Sequence, residues 1–146
     1  MSKKQINTIC EAIRNNSVDN LGDLLTNFTD ISNPIIQLNE DTTGEKIFDV
    51  EIFALPPNEK CTILHYAAFY NSLDIFKYLE NEKKLPLRIP SELGLLPLHY
   101  ACAHGSSDVA LYILGKDPEQ ARIDFDNKDI PSLLYLSIHG EKSDVL

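Results

Sequence analysis

Two stretches of the chain are near copies of each other at a fixed interval. Ile63-Leu64-His65-Tyr66-Ala67-Ala68 returns as Pro97-Leu98-His99-Tyr100-Ala101-Cys102. His65 and His99, Ala67 and Ala101, Asp74 and Asp108, and Tyr78 and Tyr112 all lie 34 positions apart. Self-similarity with a period of about 33 residues is the signature of a helical repeat. Each copy also carries local instructions. Thr62 and Pro97 both suit a helix start: the threonine hydroxyl satisfies an orphan N–H, and proline has none to satisfy. Small residues three or four positions further on permit close approach of a second helix. The polar break Gly105-Ser106-Ser107 ends one helix and begins another, and Asp108 falls in the first turn, where a carboxylate suits the helix dipole. Val109, Tyr112 and Ile113 follow at helical spacing and give that helix one apolar face. A single hairpin of this size cannot bury such a face, so it must stack on a neighbour of the same make.

Pro97-Leu98-His99-Tyr100-Ala101 resembles the T-P-L-H-x-A signature of the ankyrin repeat family, and Thr62-Ile63-Leu64-His65-Tyr66-Ala67 is similar to it as well. The resemblance implies an all-α solenoid of stacked helix-turn-helix units. It implies that Thr62 and His65 exchange hydrogen bonds that tie neighbouring turns together. His99, which has Leu96 where the hydroxyl residue usually stands, would bond a backbone group in a neighbouring turn instead. Gly94 falls at the finger turn, where φ is positive and glycine is favoured. Thr62, His65, Gly94, Pro97, His99 and Gly105 are thus the residues of the structural motif.

Partners of ankyrin proteins bind the finger tips and the concave face of the inner helices. Carried onto this chain, the finger positions are Asn58 and Glu59, then Glu92, Leu93 and Leu95, then Asn127, Lys128 and Ile130. The variable concave positions are Phe69 and Tyr70, then Ala103 and His104, then Ile138 and His139. The partner-binding residues expected from the resemblance are Phe69, Tyr70, Glu92, Leu93, Leu95, His104, Lys128 and His139. Aromatic side chains dominate binding energy at interfaces, which singles out Phe69 and Tyr70. The alternative is that Phe69 packs on an insert at residues 29–57, or that Leu93 and Leu95 pack on the next finger. Tyr66, Tyr100 and Tyr135 recur at equivalent positions and are expected to form a ladder within the core.

The rest of the chain falls into place around these copies. Residues 1–28 read as a capping helix pair: Ile6, Ile9, Cys10 and Ile13 recur at helical spacing, Asn15-Asn16-Ser17 breaks the run, and Leu21, Leu24 and Leu25 form the next stripe. Glu11-Ala12-Ile13-Arg14-Asn15-Asn16 resembles the N-terminal cap of ankyrin arrays. Residues 29–57 are an insert, since Ala12 and Ala67 are 55 positions apart. Within it Pro34-Ile35-Ile36-Gln37-Leu38 is strand-like, Asp41-Thr42-Thr43-Gly44 is a turn cluster, and residues 46–53 alternate apolar with acidic side chains, which predicts a β-hairpin. A long acidic loop is the other reading. Residues 58–146 hold the repeats, at about 58–90, 91–125 and 126–146. The last is degraded, with Leu134 in place of the histidine and Leu136 in place of an alanine, and its outer helix has only begun at Ser143. An unfinished end of that kind suggests the N-terminal portion of a longer protein, or coverage by another chain.

Charge and cysteine content narrow the function classes. A formal net charge of −9 disfavours a nucleic-acid partner, whose phosphates call for the opposite sign. An acidic surface would instead steer a basic partner. Three cysteines, Cys10, Cys61 and Cys102, form no short-range pair, which points to a reducing, cytoplasmic setting with the nucleus as an alternative. No apolar run is long enough to span a bilayer, and no signal-peptide core follows Met1.

Constellations with chemical potential are few. Cys61, His65, His99, Cys102 and His104 would be brought near one another by stacking, but the histidines already serve the repeat motif and no C-x-x-C pair is present. No metal or cofactor is therefore expected. Ser106 and Ser107 near His104 read more simply as N-caps than as nucleophiles. No phosphate-binding loop, dinucleotide fingerprint or nucleophile elbow occurs. The expected function is a protein-interaction module, not an enzyme. Two alternatives are the regulatory or targeting end of a longer protein, an enzyme among the choices, and self-association through the incomplete C-terminal end.

Overall fold

The computed structural model describes residues 3–26, 31–32, 34, 36–37 and 59–122. Within them six α-helices form three pairs. These are α1 (Lys3–Arg14) with α2 (Val18–Leu25), α3 (Ile63–Phe69) with α4 (Leu73–Asn81), and α5 (Pro97–His104) with α6 (Ser107–Lys116). The inner helices α1, α3 and α5 pack in sequence, and the outer helices α2, α4 and α6 do the same beside them. A short 3₁₀ turn, Pro118–Arg122, packs on α6. No helix among the described residues is long and apolar enough to cross a membrane.

The apolar stripes explain the stacking. Ile9 and Ile13 of α1 and Leu21 and Leu25 of α2 are buried, and so are Ile75, Phe76 and Leu79 of α4. Every residue of α3 is buried, because it lies between α1 and α5. Ala67, Ala68, Ala101, Cys102 and Ala103 are wholly enclosed, and their small side chains let the inner helices approach closely. Tyr66 and Tyr100 are buried at equivalent turns; Tyr135 lies outside the described residues.

Each turn is locked by its histidine. Thr62 Oγ1 accepts from the backbone N–H of Leu64 and His65, at 3.2 and 3.4 Å. His65 Nδ1 accepts from the Thr62 N–H at 3.2 Å, and its Nε2 lies 2.8 Å from the Leu95 carbonyl in the next unit. With Nδ1 accepting, Nε2 carries the proton and donates to Leu95. His99 Nδ1 accepts from the Leu96 N–H of its own turn at 3.0 Å, the same backbone bond that Thr62 gives to His65. Burial holds both rings neutral, pushing His65 down to about 3 and His99 to about 4.

A second set of ties runs between units at the far ends of the inner helices. Asn16 and Asn71 adopt left-handed backbone conformations, with φ of 53° and 57°. Asn16 Oδ1 accepts from the Ile75 N–H and its Nδ2 donates to Asp74, while Asn71 does the same with Val109 and Asp108. The asparagine of one unit thus caps the outer helix of the next. Ser72 and Ser106, at the starts of α4 and α6, donate back to the carbonyls of Ile13 and Phe69.

The strand-like segment contributes a short strand at Ile36–Gln37. Ile36–Gln37 (β1) runs antiparallel to Lys60–Cys61 (β2), with Ile36 opposite Cys61 and Gln37 opposite Lys60. Residues 46–53, the expected partner, lie outside the described residues, as does the expected third repeat at 126–146. The pairing brings the two ends of the intervening segment together beside the first finger. The Glu92 N–H then donates to the Lys60 carbonyl at 3.0 Å and joins the second finger to β2.

Candidate functional site

The second finger is a tight turn over residues 91–95. Ser91 and Leu95 pair through the Ser91 N–H and the Leu95 carbonyl, and the Gly94 N–H closes the turn onto the Ser91 carbonyl. Gly94 has φ of 94°, the conformation for which the position needs glycine. The turn puts Leu93 outward, at 45% exposure, with Glu92 exposed beside it. Leu95 is fully buried, and its carbonyl accepts from His65. The expectation that Leu95 offers itself to a partner is thereby corrected.

Glu59, expected at the tip of the first finger, is also buried, at 5% exposure. A buried carboxylate is tolerable only when donors surround it. Here the Ser91 hydroxyl and the Leu93 N–H donate to one oxygen, and Tyr100 Oη donates to the other at 2.5 Å. Burial, followed by the nearby Cys61 and Glu59, drives the Tyr100 phenol well above its usual range and keeps it a donor. Glu59 therefore holds the second finger rather than displaying the first.

On the inner-helix face, Tyr70 and His104 are half-buried at the ends of α3 and α5. Phe69 is 1% exposed, which corrects its expected role as a surface anchor. Its ring lies under the imidazole of His104, with centroids 4.4 Å apart and planes inclined by 24°, and meets Tyr70 edge-on at 5.1 Å. It floors the platform that Tyr70 and His104 present. Ala103 is enclosed as well. Lys128 and His139 lie outside the described residues. What sequence reasoning missed is Arg14, which stands in α1 one position before the counterpart of Tyr70. It is exposed, and its Nη1 donates to the buried Tyr66 Oη at 2.5 Å. A lone arginine at the end of a capping helix gives no signal in a sequence until its partner tyrosine is known.

Charge is unevenly spread. Residues 3–26 and 59–122 carry 11 acidic and 10 basic side chains, whereas residues 27–58 carry six acidic against Lys46 alone. Residues 3–26 and 59–122 are thus close to neutral, and the acidity lies mostly in residues 27–58 and 123–146. Both ring nitrogens of His65 are engaged by protein groups, and Ser106 Oγ is committed to the Phe69 carbonyl, so neither serves a metal site or a nucleophile here.

The sequence pattern of the family described as ankyrin repeats, in three copies, matches residues 9–129. This chain belongs to the ankyrin repeat family. Ankyrin repeats are protein-interaction modules. A relative, the putative palmitoyltransferase ZDHHC13 of Danio rerio, is 28% identical over 102 residues. That match takes in 62% of this chain but 16% of the relative, so the chain spans only a small part of that protein's length. Among solved structures, a chain from the crystal structure of the yeast ribosomal protein Rps3 in complex with its chaperone Yar1 aligns over 87% of this chain and 99% of its own length. It does so at 18% identity and a TM-score of 0.42, too slight a likeness to carry an argument.

Proposed function

We propose that this ankyrin stack binds another protein through its second finger and inner-helix face, with Leu93 and Glu92 at the finger and Tyr70 and His104 on the helices as the contact residues. The observation that carries this reading is that a leucine 45% exposed stands on a turn held by a buried, fully bonded carboxylate. A side chain fixed in that way loses little freedom on binding, which lowers the entropic cost of association. Unpaired buried thiols support a reducing, cytoplasmic setting.

Site-specific photocrosslinking tests the reading. A photoreactive residue at Leu93 is expected to capture a protein that the same residue at Leu111, exposed on α6, does not. Tyr70→Ala and Leu93→Ala should each weaken that complex by tenfold or more, with the helical circular dichroism signal unchanged. Capture that is equal at both positions, or unaffected by either substitution, would rule the face out.

A second reading is favoured by the length relation with the palmitoyltransferase: the stack is the targeting or regulatory part of a larger protein, an enzyme among the choices. The length of the parent reading frame decides this. A frame that encodes only these repeats would end it.

A further inference from the structure

Arg14 lies where α1 meets the inner-helix face, and the way it is held leaves its charge available. One guanidinium N–H donates to Tyr66 Oη. Burial is the largest influence on that phenol and pushes it far above its usual range, so the partner of Arg14 is a neutral hydroxyl. The hydrogen bond orients the guanidinium without cancelling its charge. The ion pairs among the described residues are Arg88 with Asp117 and Lys116 with Glu80, and Arg14 is in neither. Glu11, one turn earlier on α1, is exposed and likewise in neither.

Aromatic surface continues from this cation. Tyr66 meets Tyr70 at 4.8 Å between ring centroids, and Tyr70 meets His104 at 6.2 Å. Arg14, Tyr70 and His104 therefore form a strip across three successive units. An arginine with several N–H groups left over, in a fixed orientation, matches a carboxylate in two-point geometry. Half-buried rings beside it suit an apolar neighbour of that carboxylate. The net charge of −9 argues for a basic partner at long range, but its excess lies in residues 27–58 and 123–146. Exposed charges further apart than about 8 Å are largely screened at physiological salt, so the local cation decides what is seated there.

We propose that the inner-helix face takes a protein segment that presents an aspartate or glutamate to Arg14 and an adjacent apolar side chain to Tyr70 and His104. The inference rests on the reading of this face as the contact surface, and it adds the chemistry of the partner.

Selection of a random dodecapeptide display library on the full chain tests it. Recovered peptides are expected to share an acidic position next to an apolar or aromatic one. Arg14→Gln, which keeps an amide donor for Tyr66, should weaken a selected peptide at least tenfold. Neutralising the peptide's acidic residue should cost as much, and the two changes together should cost little more than either alone. Arg14→Glu should restore binding to the same peptide with lysine at the acidic position. Peptides that lack an acidic position, or that bind Arg14→Gln unchanged, overturn the assignment while Tyr70→Ala and Leu93→Ala still report on the face. Peptides indifferent to all three substitutions, or a failure to select any, overturn the face reading as well.

Discussion

His65 and His99 show how one residue type does two jobs at a repeat turn. Each ring accepts a backbone N–H at the start of its own inner helix, and His65 also donates to the next unit. Accepting at Nδ1 requires neutral imidazole, and burial enforces it. The unfolded chain, by contrast, takes up a proton on each near the ordinary value of 6.5. The folded-state values of about 3 and about 4 are depressed, so between pH 6.5 and 4 the unfolded state binds more protons. Stability is then complete above pH 6.5 and falls as the pH drops, by up to about 1.4 kcal/mol per pH unit for each histidine. Urea midpoints measured from pH 8 to 5 should be level down to about 7 and fall below 6.5, before most carboxylates begin to titrate. A midpoint that holds level to pH 5 would contradict the buried neutral rings.

At the scale of the element, the second finger depends on Glu59. Glu59→Ala leaves the Ser91 hydroxyl, the Leu93 N–H and the Tyr100 hydroxyl without their acceptor in a buried setting. The expected loss is about 3 kcal/mol, since each orphaned buried donor costs roughly 1–3 kcal/mol and part of that is recovered by water at the half-open turn. Amide exchange at Leu93 should quicken well beyond the change in global stability. Equal changes at Leu93 and in α4 would show that the finger is held by something else. Little of this was legible in the sequence. The histidines, tyrosines and alanines recur at a fixed interval because their neighbours recur, and pattern alone placed them in the core. Glu59 reads as one more acid at a finger tip until Tyr100, 41 positions away, is seen beside it. Phe69 and Leu95 misled for a related reason. Both stand at positions that usually face a partner, but Phe69 turns beneath His104, and Leu95 is enclosed in the core while its carbonyl accepts from His65. The strand at Ile36–Gln37 was visible, but its pairing with Lys60–Cys61 was not, because an alternating run nearer in sequence offers an equally good pleat.

Across the whole molecule, the asparagine clamps couple one unit to the next, and they are not distributed evenly. Asn16 spans 58 positions to reach Asp74, and Asn71 spans 37 to reach Asp108. The insert makes those intervals unequal, which hides the clamp from any search at constant period. At the equivalent turn after α5, Gly105 takes the left-handed conformation, with φ of 74°, and has no side chain to cap a following helix. Among the described residues, the pairs α1–α2 and α3–α4 are each fastened to their successor by an asparagine, and α5–α6 offers no side chain at that turn. Asn71→Gly should reproduce the α5 arrangement one unit earlier: the left-handed turn is kept, and the bonds to Val109 and Asp108 are lost. Replacing a capping side chain by alanine costs about 0.5–2 kcal/mol, whereas replacing it by glycine costs only roughly a few tenths of a kcal/mol for the cap itself. In a stack whose stability is a sum of units and the contacts between neighbours, the loss falls on one contact rather than on the whole. Native-state hydrogen exchange should therefore show α6 opening at lower free energy than α4 in the parent chain. In Asn71→Gly the gap should widen, as α5 and α6 separate from α3 and α4 before global unfolding. If both pairs open together and by the same amount in the two proteins, the coupling lies in the apolar contacts of the inner helices, and the clamps only set the register.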